Sequence, residues 1–184
     1  EQAETPAPVS GEELFKMGDI GRTELVRGKI IKMSPTGHLH GHVEVNFSVA
    51  LQTFVKQHKI GRVFAGEVGI YTGRNPDTVR GADVAFVSTE RLAQVQSQSY
   101  LDVAPELIVE IMSPDDRWID IMEKLEEYFA IGVTVVWVAD PGTRSVYEYR
   151  SVTDVQRFTS ETDLTSEDLL PGFRVPVAEL FDAE

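Results

Sequence analysis

Between residues 38 and 58 the apolar positions Val43, Phe47, Ala50, Leu51, Phe54 and Val55 recur at three- and four-residue steps. That spacing predicts an amphipathic helix with one buried stripe. Upstream, Ser10-Gly11-Glu12-Glu13 fits a Ser-x-x-Glu capping box ahead of Leu14, Phe15 and Met17, so a short helix starts there. Residues 23–26 and 29–33 read as a hairpin around Arg27-Gly28, and Ser34-Pro35-Thr36-Gly37 as a turn. Gly61 closes the long helix, and 62–71 reads as a strand. Residues 72–81, with Gly73 and Asn75-Pro76-Asp77, read as a loop, followed by strands at 82–87 and 107–112. Asp115-Asp116 is expected to cap a helix running to about Ala130, with Trp118, Met122, Leu125 and Phe129 on its core face. Gly132 ends it, 133–139 is a buried strand, and Asp140-Pro141-Gly142 turns into another strand at 145–150. The last thirty residues read as short irregular pieces closing the domain.

The strand–helix–strand unit at 107–139 predicts a parallel pair with a right-handed crossover. With the hairpins it predicts an α/β chain, bordering on α+β, built on a mixed sheet. A length of 184 residues fits one domain, expected over 10–184 behind a flexible segment at 1–9. Apolar residues make up 42% and charged residues 26%, an ordinary globular balance. The absence of cysteine excludes a disulfide framework, a thiolate zinc site and a thiol nucleophile, and it suits the cytoplasm. The most apolar stretch, 133–139, falls far short of the roughly 18 residues of a membrane span, and the start lacks a secretory pattern.

Charge narrows the functional classes further. Seventeen basic against 30 acidic residues leave a net charge of −13, with an isoelectric point near 4.7. A protein gripping nucleic acid over its whole surface carries the opposite sign, so a phosphate partner must be met locally. Lys56, Lys59, Arg62, Arg74 and Arg80 are the candidates for a local basic patch, against the alternative of a scattered solvated surface. Motifs for dinucleotide binding, phosphate loops, serine elbows and zinc helices are all missing.

Several polar residues stand where the pattern asks for apolar ones. Glu110 interrupts Leu107-Ile108-Val109-Glu110-Ile111-Met112, a strand apolar on both faces and so covered on both sides. A carboxylate there is costly unless it is paired or holds a cation. Asp83, in Gly81-Ala82-Asp83-Val84, either caps the preceding loop or converges with Glu110 on one divalent cation, and oxygen ligands suit Mg²⁺ or Mn²⁺. Lys124 lies on the following helix with Ile121 and Tyr128, where spacing alone favours an exposed pair with Asp120. His38, His40 and His42 fall at a helix start, where residues two apart diverge by about 200°, so at most one aims at the sheet. Glu67 precedes Asp83 on a neighbouring strand, as a further ligand or an ordinary solvated residue.

The string Pro105-Glu106-Leu107-Ile108-Val109-Glu110-Ile111-Met112-Ser113-Pro114-Asp115-Asp116 resembles the Uma-type "putative restriction endonuclease" family, within the PD-(D/E)XK nuclease superfamily. Lys124, Tyr128, Gly132-Val133 and Trp137-Val138-Ala139-Asp140-Pro141 extend the resemblance, as do Glu24 to Gly28, Ser34-Pro35, His40-Gly41, Gly81 to Ala85 and Pro171-Gly172-Phe173. It covers about residues 10 to 182. The resemblance implies a restriction-endonuclease-like fold: a central mixed sheet flanked by helices, with a Mg²⁺- or Mn²⁺-dependent DNA endonuclease site at the sheet's end. Asp83 and Glu110 would hold the metal, with the Ile111 carbonyl as a further ligand. Where the superfamily carries lysine two residues after the glutamate, this chain has Met112, and the lysine has moved to Lys124, which would orient water or stabilise the transition state. Supporting roles fall to His40, at the phosphate, and Glu67, as an outer-shell or second-metal ligand. The family implies a homodimer. The alternatives are a non-catalytic member with a regulatory or structural cation site and a protein partner, and a hydrolase of small phosphodiesters.

Overall fold

The computed structural model describes residues 7–182. Of the expected flexible segment, 1–6 lie outside the described residues, while the Val9 amide donates to the Gly28 carbonyl at 2.9 Å. Ser10 caps α1 (Gly11–Lys16) through the expected box, its hydroxyl accepting from the Glu13 amide. The hairpin β1 (Thr23–Val26) and β2 (Lys29–Lys32) follows, then α2 (His38–His58), which buries Val43, Phe47, Leu51 and Val55. The strands β3 (Gly61–Gly73) and β4 (Thr78–Ser88) pair antiparallel almost to their tips. The expected loop at 72–81 is therefore a tight turn, since the sheet extends the strands through residues whose composition reads as breaker-rich.

A short α3 (Thr89–Leu92) precedes β5 (Leu107–Ile111), α4 (Trp118–Ile131) and β6 (Val135–Asp140). β5 and β6 are parallel, joined through α4 as the pattern predicts. β7 (Ser145–Tyr149) and β8 (Val155–Phe158) add antiparallel strands. The supposedly irregular end is ordered: β9 (Asp163–Thr165) and β10 (Arg174–Pro176) form a ribbon, and α5 (Val177–Phe181) follows.

The main sheet runs β2-β1-β4-β5-β6-β7-β8. β3 takes one edge of β4, and the other edge is shared by β1, at Leu25 against Val79, and β5, at Val84 to Phe86. That sharing places β1 and β5 one after the other along the same edge of β4. Two apolar layers cover the sheet. Leu107, Val109 and Ile111 pack with α2 and α5, and Ile108 packs with Ile121, Leu125 and Tyr128 of α4. Both faces of β5 are thus covered, as its sequence requires.

α4 sits rotated from the expected face. Its buried residues are Ile121, Leu125 and Tyr128, whereas Trp118 is 43% exposed and Met122 and Phe129 are only partly buried. Its start is also later than expected, at Trp118, with Arg117 as the flanking residue. Gly132 closes it in a left-handed conformation, φ 100°, which glycine adopts without a Cβ penalty.

Candidate metal centre

Asp83 stands on β4 opposite the end of β5 and is buried. Its Oδ2 accepts the Ile111 amide at 2.7 Å and lies 3.3 Å from His40 Nε2. His40, in the first turn of α2, is the histidine that turns inward. His42 instead contacts the Asp182 carbonyl at 2.7 Å, and His38 is exposed. One turn further along α2, Glu44 Oε2 lies 3.8 Å from His40 Nδ1, while Oε1 accepts the Gly66 amide at 2.8 Å. His40, Glu44 and Asp83 each offer a ligand atom, and these atoms all lie within 4.8 Å of one another. His40 Nδ1 is buried and without a hydrogen-bond partner. Glu44 escapes a sequence reading, because on α2 it looks like any solvated helix glutamate; its i, i+4 spacing from His40 was the available signal.

Glu110 faces the other way, onto α4. Its Oε1 accepts the Tyr128 hydroxyl at 2.6 Å, and its Oε2 accepts from Lys124 Nζ at 3.3 Å. Lys124 does not form the expected exposed pair with Asp120, which is bound by Arg117. The rotation of α4 that buries Ile121 and Tyr128 turns Lys124 inward, where Nζ also reaches Glu24 at 3.0 Å. Glu67 sits on a bulge of β3 with φ 61°, paired to Arg22. An added Cβ on Gly81 would lie 2.8 Å from the Glu67 carboxylate, so glycine is what leaves that carboxylate its space.

Crowded buried carboxylates resist ionising together. Burial, reinforced by the charge of Asp83, pushes Glu67 up to about 8. Burial likewise raises Glu110 to about 7, with Lys124 pulling against it. Asp83 goes the other way. Burial opposes its charge, but bonds from His40, Glu67 and the Ile111 amide hold it below the usual range. Burial lowers the affinity of His40 for a proton, yet the Asp83 bond and the surrounding carboxylates leave it raised. One imidazole and several carboxylates crowded around an orphaned buried nitrogen are the donor set that a divalent cation relieves. Glu110 lies outside the trio, with both its oxygens already engaged.

The proposed basic patch is not assembled. Arg80 is buried against Glu24 and Glu127, and Arg74 is bound to Glu12 and Asp77. Lys56, Lys59 and Arg62 lie at the far end of α2 and the start of β3, away from Asp83.

A central mixed sheet with helices on both faces and an acidic centre where the end of β5 meets the middle of β4 defines the restriction-endonuclease-like architecture. A crystal structure titled as a putative nuclease belonging to DUF820, from Anabaena variabilis, shares this fold: TM-score 0.78 at 20% identity, covering 95% of this chain and 98% of that one. No curated protein matches the chain. The model of the Uma2 family, described as "Putative restriction endonuclease", matches residues 12–178, and the chain belongs to that family. Among the described residues no helix is long and apolar enough to cross a membrane.

Proposed function

We propose that the chain is a divalent-cation-dependent endonuclease hydrolysing DNA phosphodiester bonds. The observation that carries this reading is the convergence of His40, Glu44 and Asp83 within 4.8 Å, beside a Glu110 that is tied to Lys124. Asp83 would hold the cation together with His40 and Glu44, and Glu110 would join them by exchanging one of its present partners. The imidazole favours Mn²⁺ over Mg²⁺ in such a set. When bound, the cation supplies Lewis-acid polarisation of the phosphoryl oxygen and offsets the charge of the crowded carboxylates. Lys124, at the opposite side of Glu110, orients the attacking water or stabilises charge developing at phosphorus. Glu67 accepts or releases a proton beside Asp83, and the cytoplasm and a homodimer belong to the same reading.

A second reading has its own support in the charge of −13 and in arginines already bound to carboxylates. It is a non-catalytic family member whose cation site is structural or regulatory and whose partner is a protein. Calorimetric titration of Mn²⁺ and Mg²⁺ into the wild type, Asp83→Asn, His40→Ala, Glu110→Gln and Lys124→Met, followed by incubation with supercoiled plasmid, separates the two. Saturable binding lost in Asp83→Asn and weakened in His40→Ala, with cation-dependent nicking that Glu110→Gln and Lys124→Met abolish, supports the endonuclease. Binding without nicking leaves the non-catalytic reading; no binding removes the cation site altogether.

A further inference from the structure

We propose that Glu24, on β1, is a positioning residue that holds Lys124 at the site independently of Glu110. The inference rests on the endonuclease reading for its catalytic consequence, though not for its structural content. Glu24 is 5% exposed, and each of its oxygens is engaged. Oε1 accepts the Gly81 amide at 3.2 Å and lies 3.0 Å from Lys124 Nζ; Oε2 accepts from Arg80 Nη1 at 3.0 Å. Arg80 is anchored in turn, donating to both oxygens of Glu127 at 2.8 and 2.6 Å and to Glu123 at 3.3 Å. The chain β1–β4–α4 is therefore bolted together through one buried carboxylate and one buried guanidinium.

The need for such a holder follows from where the lysine comes from. A lysine two residues beyond Glu110 would share its strand face, held by the pleat. Met112 occupies that position, and the ammonium arrives instead on a four-carbon stem from a helix, 14 residues later in the chain. Glu110 alone is a poor anchor for it, because a cation recruits Glu110 in the proposed reaction. Glu24 is outside the His40, Glu44 and Asp83 trio, so it keeps its grip on Nζ when a cation enters. Its contact is also the shorter of the two, 3.0 against 3.3 Å.

The test reads the ammonium itself, by ¹H–¹⁵N NMR of lysine side chains in the full chain, with the Lys124 peak assigned by its loss in Lys124→Met. An immobilised ammonium gives a resolved peak; a solvated one exchanges away. The expected result is a peak in the wild type with and without Mg²⁺, still present in Glu110→Gln and lost in Glu24→Gln. Glu24→Asp, which keeps the charge for Arg80 but withdraws the carboxylate by one methylene, also loses it and serves if the glutamine variant does not fold. A wild type without the peak, or a peak that survives both Glu24 variants, overturns the proposal. On plasmid, Glu24→Gln lowers kcat roughly tenfold to a hundredfold with KM unchanged; a raised KM at unchanged kcat overturns the positioning role. A wild type that fails to nick, or an Asp83→Asn that nicks normally, defeats the nuclease reading alone, and the NMR result still decides what holds Lys124.

Discussion

Glu110 and Glu67 carry a signature that can be read without any substrate. Their folded values, about 7 and about 8, lie above the ordinary 4.5. Each therefore contributes stability that is fully present below its unfolded value and lost as pH rises through the folded one. His40, raised above 6.5, has the same sign, while Asp83, lowered from 3.8, adds stability that disappears only as pH falls through its folded value. Thermal denaturation of the cation-free protein is expected to show Tm declining between pH about 4.5 and 8. Saturating Mg²⁺ or Mn²⁺ should flatten that slope, because a cation favours the ionised carboxylates. At a hundred times its Kd it should add about 2.7 kcal/mol near neutrality, or roughly 5–10 °C in Tm. A Tm that rises over this window in the cation-free protein contradicts the crowding of Glu67 and Glu110. Asp83 and Glu110 were legible in the sequence because each breaks an apolar strand. His40 was only half legible, Glu44 was silent, and Glu24 entered only as part of the family string Glu24 to Gly28, with no role of its own, since a carboxylate on a helix or a hairpin strand reads as an ordinary surface residue.

Elements follow their local pattern until a neighbour overrides it. α2 needs no override: the three- and four-residue spacing picks out its buried stripe, and its bounds match the pattern. Its end, however, is closed by Lys59 in a left-handed conformation, φ 54°, where a Cβ is strained. Lys59 is exposed and has no part in the site, so Lys59→Gly should stabilise the fold by about 1 kcal/mol, raising Tm by roughly 2–4 °C. A lower Tm would mean that the Lys59 side chain carries an interaction worth more than the strain. α4 illustrates the opposite case. Its apolar arc is broad, so Trp118-Met122-Leu125-Phe129 and Ile121-Leu125-Tyr128 are both valid helical stripes. Only the second turns Tyr128 and Lys124 onto Glu110, and the buried glutamate of β5 settles the choice.

At the scale of the whole molecule the net charge of −13 constrains how any DNA is held. Arg22, Arg74, Arg80, Arg91, Arg117, Lys124, Arg150 and Arg174 face carboxylates, about half of the 17 basic side chains, and Lys56, Lys59 and Arg62 lie away from Asp83, so the site itself has little free positive charge with which to displace counterions from a duplex. Fluorescence titration of a DNA duplex across salt concentrations is expected to give a log–log slope of magnitude about 2–3, at roughly 0.9 per phosphate. A slope near 8 would reveal a basic surface that the fold does not show. The sequence by itself determined the element order, the parallel β5–β6 unit and the two out-of-place carboxylates, because hydrophobic period and burial cost act on neighbours along the chain. What only the tertiary structure decided is which groups meet Asp83, Glu110 and Lys124. The approach of His40 and Glu44 depends on how α2 crosses the sheet, and that of Glu24 on β1 and β5 sharing one edge of β4. Those placements are set by packing between distant segments, which no local spacing encodes.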